Sequence, residues 1–131
     1  MPPMPDRILV VDDESLMRET LSMVLRNAGF RVTSCASSKE ALLADQGHRV
    51  AIVDVFMPDM DGIELLCALR ERHPLIGLVA ISGGGLLPGF DVLVDCLLLG
   101  ANCALEKPFT PKELMSAIEA AKNATRMPLP H

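Results

Sequence analysis

A chain of 131 residues, half of them hydrophobic, has the length of one domain and enough apolar side chains to bury a core, which excludes a disordered chain. Its formal net charge of −5 argues against a nucleic-acid-binding module, because phosphate backbones demand clusters of Lys and Arg. No run approaches the roughly 20 uninterrupted apolar residues of a membrane span, so neither nucleic acid nor membrane is an expected partner.

In chain order, "MPPMPDR" has no basic leader followed by an apolar core, so no secretory signal is expected. "RILVVD" (7–12) reads as a strand. Met17, Leu21, Val24, Leu25 and Ala28 then follow at helical spacing. "RVTSC" (31–35) is a mixed strand, and Ser37 with Glu40 three residues on is a helix-start signature. "RVAIVD" (49–54) is apolar throughout until its carboxylate. Ile63, Leu66 and Leu69 mark a helix ending near Pro74, with Asp61 before Gly62 read as its cap. "GLVAIS" (77–82) leads through the glycine-rich "GGGLLPG" (83–89) into "FDVLVDCLLLG" (90–100), and "NCALEK" (102–107) is the last strand. Thr110-Pro111-Lys112-Glu113 carries three start signals for a final helix: a capping threonine, a proline at the first helical position, and a glutamate at the third. Cys35, Cys67, Cys96 and Cys103 are scattered without metal-ligand spacing and read as buried thiols of a reducing cytosol.

Five strand–helix repeats with short connections predict an α/β fold, a (βα)5 doubly wound parallel sheet of flavodoxin-like form in a single domain. The runs apolar on both faces belong at the centre and "RVTSC" and "NCALE" at the edges, which gives the strand order 2-1-3-4-5. That order opens a crevice at the carboxyl ends of strands 1 and 3. The domain is expected over residues 5–123, with 124–131 as a short tail.

The strand ends carry the chemistry. Strand 1 ends in Asp12-Asp13, strand 3 in Asp54, strand 4 in Ser82 and strand 5 in Lys107. Two carboxylates about 4 Å apart repel by roughly 4 kcal/mol at an effective dielectric near 20. A divalent cation relieves that repulsion, and an all-oxygen site of this kind suits Mg²⁺.

With these residues in view, the sequence resembles the receiver domain of two-component response regulators over about residues 6 to 122. "ILVVDDE" (8–14), "VDVFMPDMDG" (53–62), "AISG" (80–83) and "EKPF" (106–109) carry the resemblance. It implies that Asp54 is a phosphoacceptor and that Asp12, Asp13, Asp54 and the backbone carbonyl of Phe56 bind Mg²⁺. Ser82 is implied to be the switch hydroxyl, and Lys107 to contact the phosphoryl group ahead of an often cis Pro108. It further implies a cytoplasmic signalling protein, not a metabolic enzyme, that receives its phosphoryl group from a histidine kinase or histidine phosphotransfer protein. A stand-alone regulator without its own output domain is the leading expectation.

Two features depart from the family. Ala104 stands where the family often carries an aromatic residue, and Ser82 and Lys107 lie 25 residues apart, a longer interval than usual. The 90–99 segment is apolar almost all round, which suits a docking face for a target protein or a homodimer. Two alternatives compete. A phosphorylation-independent docking module would not need the full acid set. A small Mg²⁺-dependent aspartyl-phosphate phosphatase needs a second acid two residues after its nucleophile, where Asp54 is followed by Val55-Phe56.

Overall fold

Alternation along the strands builds both cores at once. The computed structural model describes residues 5–44, 46–57, 60–83 and 92–124, and for 56–57, 60–61 and 92–93 only the backbone. Its elements, in chain order, are β1 (Arg7–Val11), α1 (Ser15–Asn27), β2 (Arg31–Cys35), α2 (Ser38–Ala44) and β3 (Val50–Asp54). A short hairpin follows, β4 (Phe56–Met57) and β5 (Met60–Asp61), then α3 (Gly62–Arg72), β6 (Gly77–Ser82), α4 (Val92–Leu98), β7 (Cys103–Glu106) and α5 (Pro111–Ala124). The five long strands form one parallel sheet in the order β2-β1-β3-β6-β7. With the hairpin set aside, this is the expected 2-1-3-4-5. The hairpin itself was not expected.

Successive side chains of one strand point to opposite faces. Leu9 and Val11 therefore join Val53, Leu66, Leu69 and Cys96 in one buried cluster, and Ile8 and Val10 join Ile52, Leu25 and Ile118 in the other. β3 and β6 are buried along their whole length, whereas β2 and β7 are partly exposed, as their edge positions require. The helix starts follow their sequence signals. Ser37 Oγ accepts the Glu40 N–H at 3.1 Å. Thr110 and Glu113 form a complete reciprocal box, each backbone N–H donating to the other's side chain at 3.0 Å.

Arginines finish several helix ends. Parallel βα units place the last carbonyls of their helices at the edge opposite the carboxyl ends, where they lack intrahelical donors. Arg49 donates to Lys122 O at 2.7 Å, and Arg70 to Gly100 O at 2.7 and 3.1 Å. Gly100 closes the turn after α4 with a φ of +120°, a conformation that L side chains rarely adopt.

One expectation is corrected. Cys35 and Cys96 are buried, but Cys67 is exposed on α3 and Cys103 is only half-buried, because each sits where its element meets solvent. Within the apolar 90–99 segment Cys96 is buried while Val94, Leu97, Leu98 and Leu99 are exposed, Leu98 by 80%. Phe90, the glycine-rich loop from residue 84 onward and the tail from residue 125 lie outside the described residues.

Candidate functional site

Register decides which side chains meet. Ile8 to Val11 run beside Val50 to Val53, so the residue after β1, Asp12, stands next to the end of β3 at Asp54. Asp54 in turn lies opposite Ile81, one residue before Ser82 ends β6. Ser82 lies opposite Glu106, one residue before Lys107. Asp12 is fully buried, and Asp54 and Ser82 are 3% and 2% exposed, whereas Asp13 faces solvent.

The side chains converge as the strand order requires. One carboxylate oxygen from each of Asp12, Asp13 and Asp54 lies within 4.8 Å of the other two. Lys107 Nζ donates to Asp12 Oδ2 at 3.1 Å and to Asp54 Oδ2 at 3.3 Å. Burial alone would lower the pKa of this ammonium. The hydrogen bond to Asp12, with the charges of both carboxylates, outweighs it and leaves the pKa above the ordinary lysine value. Lys107 is thus a fixed positive charge, held at the mouth by its own backbone, whose N–H donates to Ser82 O at 2.7 Å. The Lys107–Pro108 peptide is cis.

Sequence reasoning missed the groups that aim Asp12. The Glu14 N–H donates to Asp12 Oδ1 at 2.9 Å, an Asx-type turn that leaves Oδ2 for Lys107. Arg18, one turn into α1, donates from Nη1 to the Asp12 carbonyl at 2.8 Å. A carboxylate three residues ahead of a helix start is a signal for the first contact; nothing local signals the second. Phe56 lies in β4 opposite Asp61, two residues past Asp54.

The donor set fits a hard divalent cation. Three carboxylates offer only oxygen ligands, too few to fill six positions, which suits an ion that keeps waters and binds phosphate oxygens. Asp12, Asp13 and Asp54 would hold it.

A (βα)5 sheet with an acidic trio, a hydroxyl and a lysine at its carboxyl edge is the arrangement of a two-component signalling module. Residues 8–119 match the response regulator receiver domain family, to which this chain belongs. It is 37% identical over 116 residues to the transcriptional regulatory protein FixJ of Bradyrhizobium diazoefficiens, covering 87% of this chain and 55% of that protein. It is 31% identical over 124 residues to a putative NtrX-like response regulator of Rickettsia bellii, covering 92% of this chain and 25% of that one. This chain therefore spans between a quarter and about half the length of these relatives. Among solved structures, a response regulator receiver domain protein from Clostridium thermocellum superposes with a TM-score of 0.83 at 29% identity, over 92% of this chain and 97% of that one. Receiver domains are signalling switches, generally not enzymes. They bind Mg²⁺ at an acidic pocket and are phosphorylated by histidine kinases or phosphotransfer proteins. Among the described residues, no helix is long and apolar enough to cross a membrane.

Proposed function

We propose that this chain is a cytoplasmic phosphorelay switch whose Asp54 accepts a phosphoryl group from a histidine kinase or histidine phosphotransfer protein. The unit is residues 5–123, followed by a short tail. One observation carries the reading: the Lys107 ammonium bridges Asp12 and Asp54 beside an acidic trio that can hold a cation.

In the reaction, an Asp54 carboxylate oxygen attacks the phosphorus of phosphohistidine, the P–N bond breaks, and the imidazole leaves with the electron pair. The product is an aspartyl phosphate. Lys107 already contacts Asp54 Oδ2, so its ammonium is placed to follow the negative charge onto the phosphoryl oxygens. A Mg²⁺ held by Asp12, Asp13, Asp54 and the carbonyl of Phe56 would supply further charge neutralisation there. Ser82 ends the strand beside Asp54, where its hydroxyl can turn toward the new phosphoryl group and carry the change into the segment leading to α4.

The test is intact mass after incubation with acetyl phosphate, with and without Mg²⁺, wild type beside Asp54→Asn. A gain of one phosphoryl group that requires both Mg²⁺ and Asp54 is expected. If wild type gains a phosphoryl group that survives Asp54→Asn, the assignment fails. If neither acetyl phosphate nor a phosphohistidine protein labels the folded protein, the docking-module alternative takes its place.

The exposed leucines of α4 support a docking face for a target or a second copy. Concentration-dependent dimers are expected on size exclusion with light scattering, lost in Leu98→Glu. A strict monomer at high concentration, phosphorylated or not, rules out self-association through this face.

A further inference from the structure

Asp13 is the one acid of the trio that its own contacts do not fasten. Asp12 and Asp54 are buried at strand ends and share Lys107. The Asp13 side chain faces solvent and has no hydrogen-bond partner among the described residues. One of its carboxylate oxygens nevertheless lies within 4.8 Å of oxygens of the other two. Its backbone alone puts it there. The peptide unit that enters Asp13 contains the Asp12 carbonyl, and that unit is planar. Whatever fixes the carbonyl therefore fixes the plane from which the Asp13 side chain departs.

Arg18 fixes it, donating from Nη1 to the Asp12 carbonyl at 2.8 Å. Long side chains on a helix lean toward its N-terminus, which carries this one back from the first turn of α1 to the end of β1. The base of the arm is anchored too: the Arg18 N–H donates to Glu14 O at 2.9 Å, and its carbonyl accepts from Ser22 Oγ at 2.7 Å. The helix start offers no substitute, since Glu14 at its N-cap makes no capping bond with its side chain. Among the described residues the guanidinium pairs with no carboxylate, so the bond to the carbonyl is not a by-product of an ion pair. Charge and position then act in opposite directions. A guanidinium near a cation site repels the cation. A ligand already held in place loses little freedom on binding, which strengthens it.

We propose that Arg18 is a positioning residue for the divalent cation: by holding the Asp12 carbonyl it presets Asp13 as a ligand and raises the affinity of the acidic trio for Mg²⁺. Position outweighs charge, as it does for outer partners that orient metal ligands. This role rests on the reading of the trio as a Mg²⁺ site, and it places part of the affinity on a side chain that touches none of the three carboxylates.

The probe is Mg²⁺ alone, titrated into ¹⁵N-labelled wild type, Arg18→Met and Arg18→Lys and followed by amide shifts, with no phosphodonor present. Met keeps the apolar stem and removes both charge and donors, whereas Lys keeps the charge and a donor. Arg18→Met is expected to bind Mg²⁺ about tenfold more weakly, and Arg18→Lys to recover most of that loss. A second readout needs no metal. The Asp13 N–H belongs to the same peptide unit as the Asp12 carbonyl, so its ¹⁵N order parameter reports the plane directly. It should lie in the rigid range, about 0.85, in wild type and fall toward about 0.6 in Arg18→Met, in a protein whose sheet amides stay rigid. Equal or tighter Mg²⁺ binding by Arg18→Met would overturn the proposal, as would an Asp13 order parameter that does not change or a Lys variant as weak as Met. If wild type itself binds no Mg²⁺ at millimolar concentration, the metal reading of the trio falls and this role with it. If wild type binds and Arg18→Met binds as well, that reading stands and only the role of Arg18 falls.

Discussion

Asp54 stands between Val53 and Val55, almost wholly buried, and a cation from a distant part of the chain supports its charge there. Lys107 arrives from the far end of the sheet because the strand after β6 is β7, and only that order brings it onto Asp54 Oδ2. Residue types and order were enough to read this: two acids after strand 1, one ending strand 3, a lysine after strand 5. The cysteines were less legible, since position on an element, not residue type, decides their exposure. Burial raises the thiol pKa of Cys35, Cys96 and Cys103; Glu40 raises that of Cys35 further, as Asp95 and Cys67 do that of Cys96. A raised pKa means less thiolate at any given pH, and thiolate is the reacting form. At pH 8, iodoacetamide should therefore modify the exposed Cys67 first in the folded protein and reach all four cysteines only after denaturation. Intact mass with and without urea reads the count. Uniform labelling of the native protein would contradict the burial pattern.

At the scale of elements, the glycine of the "DMDG" stretch shows what a linear pattern conceals. A Cβ on Gly62 would sit 2.4 Å from the Asp54 carbonyl oxygen and 2.6 Å from Val55 Cα. The first residue of α3 thus packs directly on the backbone that carries Asp54. Gly62→Ala must displace main chain, so it should cost about 1–3 kcal/mol and slow labelling of Asp54 together. Gly83→Ala is the control. Among the described residues nothing lies within 4 Å of the Cβ it would add, and its effect should stay within about 0.5 kcal/mol. Urea titration and acetyl phosphate labelling of both variants separate the cases. Equal behaviour would show that the close approach at Gly62 is not a constraint.

The helix starts at Ser37 and Thr110 were legible because a cap and its partner are three residues apart. The helix ends were not: Arg49 reaches Lys122 across 73 positions, and the Asn102 side chain accepts from Leu78 N–H and from Arg70. Such contacts exist only once the sheet order is known. The β4–β5 hairpin escaped notice for the opposite reason, since two-residue strands leave no periodicity to detect.

For the molecule as a whole, the carboxyl edge of the sheet is a charge problem that folding creates. Unfolded, Asp54 is far from the adjacent Asp12 and Asp13, and all three are solvated. Folded, two of them are buried, and Lys107 offsets both directly. A cation that binds the folded cluster and not the dispersed one stabilises the fold by mass action, by about 2.7 kcal/mol at a hundredfold excess over its Kd. Mg²⁺ should therefore raise the midpoint of urea unfolding, and Asp13→Asn should shrink that rise.

Lys107→Met sharpens the test. Removing one partner of a buried ion pair costs about 3–5 kcal/mol, and the partial exposure of Lys107 places this case toward the lower end. The same change removes the positive charge that repels a second cation. The variant should be markedly less stable than wild type without Mg²⁺ and should recover more on adding it, so the two curves converge. Parallel curves would mean that the cation and the ammonium do not share the carboxylates, and the cluster would then be a structural ion pair, not a metal site. Unfolding curves at zero and saturating Mg²⁺ for wild type, Asp13→Asn and Lys107→Met decide it without any phosphodonor.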